Sequence, residues 1–186
     1  MITVLLTSCS ERKAEVRSYR EIVIEAPAHV HQPETAEQPA ATGTKKHLTW
    51  TCPDGWTEQP GNNMRLATFL VGPDKIECTI VSFPGDAGGV KANVKRWLGQ
   101  LTVEIADDVL DAFLKKQPAT TTQGGLPCTI FDFSELTAAR GGASMLAGMA
   151  AAGSETVFVK LMGPGPLLAS EKERFLQLCE SLGVTE

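Results

Sequence analysis

The chain has 186 residues, a net charge of −5 and 42% hydrophobic residues, the composition of one ordinary globular domain. Its Lys and Arg are scattered, in adjacent runs no longer than pairs such as Lys45-Lys46, Lys95-Arg96 and Lys115-Lys116, so nucleic acid is not expected as a partner. No stretch reaches the roughly 18 apolar residues of a transmembrane helix, which leaves a chain that is anchored or soluble rather than spanning.

In chain order, a short apolar run from Met1 leads into Leu6-Thr7-Ser8-Cys9. This resembles the lipobox of bacterial lipoproteins, in which the cysteine becomes the mature N-terminus and carries a diacylglycerol on its sulfur. The resemblance implies acylation at Cys9 and attachment to a membrane through an N-terminal lipid. It also implies a place on the extracytoplasmic (periplasmic) side of the cell envelope. A secretory signal needs a charged start and about 7–15 apolar residues. Nothing charged precedes Cys9, and the apolar run is only Ile2 to Leu6. Residues 1–9 are therefore expected to be a partial signal whose start lies upstream; the alternative is an ordinary N-terminus with one free cysteine.

Residues 10–46 read as a tether. A charged stretch, Glu11 to Arg20, is followed by a short extended segment, Glu21 to Glu25, that ends at Pro27. Ala28 to Thr44 contains Pro33 and Pro39 and almost no large apolar side chain, so it cannot bury enough surface to offset its ordering entropy. Its proline content makes it semi-extended, with a reach on the order of 50 Å. His29 and His31 form a candidate metal pair, but no Cys or third His stands near them, and a solvated linker is expected.

The folded domain is expected over 47–186. Leu48 to Thr51 reads as a strand, stopped by Pro53-Asp54-Gly55. Met64 to Val71 and Ile76 to Phe83, joined by Gly72-Pro73-Asp74, read as an antiparallel hairpin. Beyond Pro84-Gly85-Asp86-Ala87-Gly88-Gly89 the period changes. Val90, Val94, Trp97, Leu98 and Leu101 recur at helical spacing, opposite Lys91, Lys95 and Gly99. Asp107 to Gln117 reads as a second helix, with acids at its start and Lys115 and Lys116 at its end, matching the helix dipole. Thr120 to Thr122 and Cys128 to Phe133 read as a second hairpin. Ser144 to Ala150 and Thr156 to Leu161 read as a third. Gly163-Pro164-Gly165-Pro166 ends the sheet. Ser170-Glu171-Lys172-Glu173 has the pattern of a capping box opening a last helix, with Gly183 as its C′ residue. Three hairpins and their helices predict an α+β fold, an antiparallel sheet of about six strands with helices packed on its faces.

Five cysteines are present, and without Cys9 an even number remains: Cys52, Cys78, Cys128 and Cys179. No pair has CxxC spacing, so structural zinc and dithiol redox chemistry lose their signature. Each sits within an apolar pattern, and buried free thiols are expected rather than disulfides. No Gly-x-Ser-x-Gly elbow, HExxH or kinase-like motif occurs. A nucleophilic cysteine needs a base, and the folded region offers only His47 at its edge. Neither a cofactor nor a metal is expected.

Pro53-Asp54-Gly55-Trp56, the strand beginning Met64-Arg65, and the closing unit Thr156 to Pro164 with its C-terminal helix resemble the PsbP-like fold. That fold is shared by photosystem extrinsic subunits, Ran-binding Mog proteins and DcrB-type envelope lipoproteins. Phe83 to Gly89, with Asn93, Arg96, Trp97, Gly99, Gln100 and Leu101, is similar to a group of uncharacterised bacterial lipoproteins. The resemblance covers roughly His47 to Gly183, and it implies noncatalytic scaffolding or binding.

One candidate binding patch stands out. Gly88 and Gly89, with Asp86, precede a helix whose amides could cradle an anion, although the P-loop frame is missing. Asn93, Arg96 and Gln100 share a helix edge, with Trp97 beside them. The bland reading is a turn, a buried tryptophan and side chains bonded to loop carbonyls. The functional expectation is a lipid-anchored envelope domain that binds an envelope protein or scaffolds without catalysis. The alternative is a small-ligand carrier or enzyme using a cleft near Gly88-Gly89 and Arg96. A pocket shared by Asp86, Asn93 and Arg96 would favour that alternative.

Overall fold

Period-two alternation of apolar side chains builds the centre of the molecule. The computed structural model describes residues 47–185, residue 63 excepted, so Cys9, the expected tether, His29 and His31 lie outside the described residues. Seven strands form one sheet: β2 (Thr57–Gln59), β3 (Ala67–Val71), β4 (Ile76–Pro84), β5 (Ala119–Thr121), β6 (Pro127–Asp132), β7 (Ala143–Ala152) and β8 (Glu155–Pro164). Their order is β2-β3-β4-β8-β7-β6-β5, and every pairing is antiparallel. The three expected hairpins are β3–β4, β5–β6 and β7–β8, with registers such as Phe69↔Cys78, Thr120↔Cys128 and Gly148↔Val159.

Both faces of the sheet carry apolar side chains because successive residues of a strand point to opposite sides. Ile80, Ile130, Leu146, Val159 and Leu161 pack on one side with Phe69 and Cys78. Helix α4 (Gly165–Glu180) covers that side with Leu168, Phe175, Leu178 and Cys179. Phe131, Met145, Ala147 and Phe158 pack on the other side, under α1 (Gly89–Gln100) and α2 (Asp107–Lys116). These helices contribute Val94, Trp97 and Leu98, then Leu110 and Phe113. The protein is an α+β domain with helices on both faces of an antiparallel sheet.

Several elements differ from the sequence reading. The main sheet has seven strands because Thr57–Gln59 adds an edge strand, too short to show a period. A second, two-stranded sheet pairs β1 (His47–Thr49) with β9 (Gly183–Thr185). Gly183 is thus a strand residue, and α4 is capped at Ser181, whose amide bonds the Gln177 carbonyl. Nor does α4 begin at Ser170. Proline fits the first helical turn, where its missing N–H costs nothing, and Pro166 sits in the first turn of a helix that opens at Gly165, more than a full turn before Ser170. The Ser170 hydroxyl donates back to the Leu167 carbonyl at 2.8 Å. A short helix, α3 (Ser134–Thr137), and a 3-10 turn, Ala138–Arg140, occupy the connection before Gly141. Val90, placed by periodicity on the buried stripe of α1, is 39% exposed because it lies in the first turn, at the margin of the sheet.

Candidate functional site

The loop 85–89 sets the entry to α1. Gly85, Gly88 and Gly89 all have positive φ (67°, 86° and 77°), as does Ala87 at 50°. Glycine supplies such conformations without steric cost. Asp86 closes the turn twice: its Oδ1 accepts from the Gly88 amide at 3.1 Å, and its carbonyl accepts from the Gly89 amide at 2.9 Å. Both glycine amides are therefore engaged within the loop, which removes the anion cradle considered for them. Asn93, fully buried, fixes the same loop from the helix side. Its Nδ2 donates to the Ala87 carbonyl at 3.1 Å and to the Gly89 carbonyl at 2.7 Å.

Trp97 is buried one turn further along α1. Its ring lies 5.6 to 6.2 Å from those of Phe158, Phe131 and Phe133, near-perpendicular to two of them. Edge-to-face pairs of this kind favour a fixed core geometry. Asn93 and Trp97 thus hold the helix to the sheet. The candidate patch does not converge on one pocket. Asp86 lines a cleft of about 440 Å³ with Gly85, Val90, Thr120 and Glu155. Arg96, Trp97 and Gln100 line a different groove of about 870 Å³. Asn93 lines neither of these two.

The larger groove arises from incomplete coverage. Helices α1 and α2 shield the β6–β7–β8 part of their face, and the β3–β4 part beside it stays open. Its floor holds Thr79, Val81 and Phe83 from β4 and Phe158, Lys160 and Met162 from β8. Phe83 is 45% and Met162 41% exposed, and the Phe83 ring sits 5.8 Å from that of Phe158. Four cations line it, Arg65, Lys75, Arg96 and Lys160, against one carboxylate, Glu77. Glu77 is held by Arg65 at 2.7 Å. Lys160 Nζ donates to the neutral Gln100 Oε1 at 3.1 Å. Burial, then the nearby Arg65 charge, holds the Lys160 pKa below its ordinary value. Sequence reasoning reached Arg96 and Gln100 through the helix edge. It missed Arg65, Lys75 and Lys160, which sit in separate segments and converge only through the β3–β4–β8 register.

The four thiols of the described residues are free. Burial raises the pKa of each; Cys128 is pushed up to about 11. That is the reverse of the depressed pKa a nucleophilic thiolate needs. Among the described residues, no group of three or more His, Cys, Asp or Glu side chains gathers around a common point. No described helix is long and apolar enough to cross a membrane.

No protein-family model matches the chain. No curated protein sequence matches it either. Similar solved structures include LpqN of Mycobacterium tuberculosis, described as involved in cell envelope biogenesis. It is 15% identical with a TM-score of 0.46, over 80% of this chain and 88% of that one. The cyanobacterial PsbP (CyanoP) of Synechocystis sp. PCC 6803 is 11% identical with a TM-score of 0.40, over 80% of this chain and 98% of that one.

Proposed function

We propose that the chain is a noncatalytic binding protein of the cell envelope. A lipid on Cys9 holds it to a membrane on the extracytoplasmic side, and its folded domain takes a partner in the groove between α1 and β3–β4. The observation that carries the binding role is the uncovered part of the sheet face, where Phe83 and Met162 stand exposed beside Arg65 and Arg96. Aromatic, Met and Arg side chains are enriched where proteins bind partners. Support for a noncatalytic role comes from the raised thiol pKa values and from the separation of Asp86, Asn93 and Arg96. The anchor rests on Leu6-Thr7-Ser8-Cys9.

Two measurements test this reading. Cys9→Ala, introduced into the natural gene, should move the protein from the membrane to the soluble fraction; unchanged partitioning defeats the anchor. A photo-crosslinking residue at Met162 should form adducts in intact cells. The same residue at the exposed Glu173, on the α4 side, should not. Equal labelling from both positions, or none from Met162, removes the groove from the function.

A further inference from the structure

The groove is not uniform along its length. The β4–β8 register sets Val81 opposite Phe158 and Thr79 opposite Lys160. Two residues along a strand span roughly 7 Å. Within that distance the floor changes from apolar at Phe158 to cationic at Lys160, and Met162 follows Lys160 on β8. Phe83, its ring tilted against that of Phe158, extends the apolar end. At the cationic end Lys160 meets Gln100, one helical turn beyond Arg96. Neither Lys160, Arg96 nor Lys75 forms an ion pair among the described residues, whereas Arg65 is matched by Glu77. This excess of cations stands out in a chain whose net charge is −5.

We infer that the groove binds a single-chain amphiphile with a phosphate head, the phosphate taken by Lys160 and Arg96 and the apolar chain laid over Val81, Phe83 and Phe158. Charge complementarity carries the choice. Three cations without a carboxylate suit a phosphate ester better than a neutral head or a single carboxylate. An Arg fork and a Lys ammonium are the usual phosphate partners. An anion there also restores what desolvation and Arg65 take from the charged form of Lys160. The volume of about 870 Å³ is that of a small-molecule site, and pockets for such ligands span about 300–1,000 Å³. This inference rests on the groove being the binding site.

The test uses the full chain and dodecyl phosphate below its micelle concentration, read by calorimetry and by indole fluorescence. Saturable one-to-one binding is expected. Dodecyl maltoside and inorganic phosphate should each bind at least about tenfold more weakly, the loss associated with one charge-assisted hydrogen bond. The double variant Arg96→Gln/Lys160→Gln should lose at least about tenfold in affinity for dodecyl phosphate and keep its melting temperature. Phe83→Ala should weaken dodecyl phosphate without changing the response to inorganic phosphate. Equal affinity for dodecyl maltoside, or undiminished affinity in the double variant, overturns the inference. If dodecyl phosphate fails to bind while the crosslinker at Met162 still captures a partner, the amphiphile falls and the groove stands. If Met162 also captures nothing, both fall.

Discussion

Asn93 and Trp97 lie four residues apart on α1 and were legible to different degrees. The 3.6-residue period placed Trp97 on the buried stripe with Val94 and Leu98, and it packs there against three phenylalanines. Trp97→Ala should therefore cost about 3–5 kcal/mol in a urea titration. A variant with native stability would show that the ring is not a core element. Asn93 shares the helix edge of Arg96 in the sequence, yet it turns inward, where its Nδ2 donates to the Ala87 and Gly89 carbonyls. Nothing in the local pattern separates a buried amide from an exposed one. The thiols give a pH signature. An unfolded Cys128 thiol loses its proton near the ordinary value of 9.0, whereas burial delays that loss to about 11 in the folded protein. Between those values the unfolded state binds fewer protons, so the stability contributed below pH 9.0 is progressively lost toward about 11. Urea titrations at pH of about 8 and about 10 should show the fall, and Cys128→Ala should make it shallower. An identical pH slope in wild type and Cys128→Ala would mean that the thiol ionises freely in the fold.

At the scale of elements, long strands and helices announced themselves, as did the three-residue β1 and β5, whereas the equally short β2 and β9 did not. The strand pairs β3–β4 and β7–β8 have alternation and glycine turns to mark them. By contrast, no local period survives in the three residues of β2 or β9, and β9 is defined by a partner, β1, at the other end of the described residues. The start of α4 was misplaced for a chemical reason: Gly163-Pro164-Gly165-Pro166 reads as punctuation, although Pro166 is well suited to a first turn. One contact between elements was invisible beforehand. A Cβ on Gly148 of β7 would come within 2.8 Å of Cys179 Sγ on α4. Glycine at that position lets the helix settle onto the middle of the sheet. Gly148→Ala should destabilise the domain by about 1–3 kcal/mol. Adding Cys179→Ala removes the clashing sulfur, so in a double-mutant cycle the two changes should cost less together than their sum. Strict additivity would show that Gly148 serves some purpose other than this approach.

At the scale of the whole molecule, the α+β architecture with helices on both faces followed from hairpin and helix order, because alternating strands leave two apolar faces to cover. The uneven coverage did not follow, since it depends on where α1 lands across β8. The groove was therefore only half legible: its helix side was visible in the spacing of Arg96 and Gln100, and its sheet side waited on the register. The small β1–β9 sheet has a consequence of another kind. His47 pairs with Thr185, so whatever precedes the first and whatever follows the second leave the fold side by side. Paired strands stand about 5 Å apart, and the described domain is a ring open at a single seam. A short glycine-serine bridge from Thr185 to His47, with new ends cut at the Gly153-Ser154 turn, should yield a circular permutant with native circular dichroism and cooperative melting. Loss of cooperative unfolding would mean that β7 and β8 depend on their covalent turn to pair. If the ring closes, an anchor could be attached at either side of the seam with the domain held by the same spot.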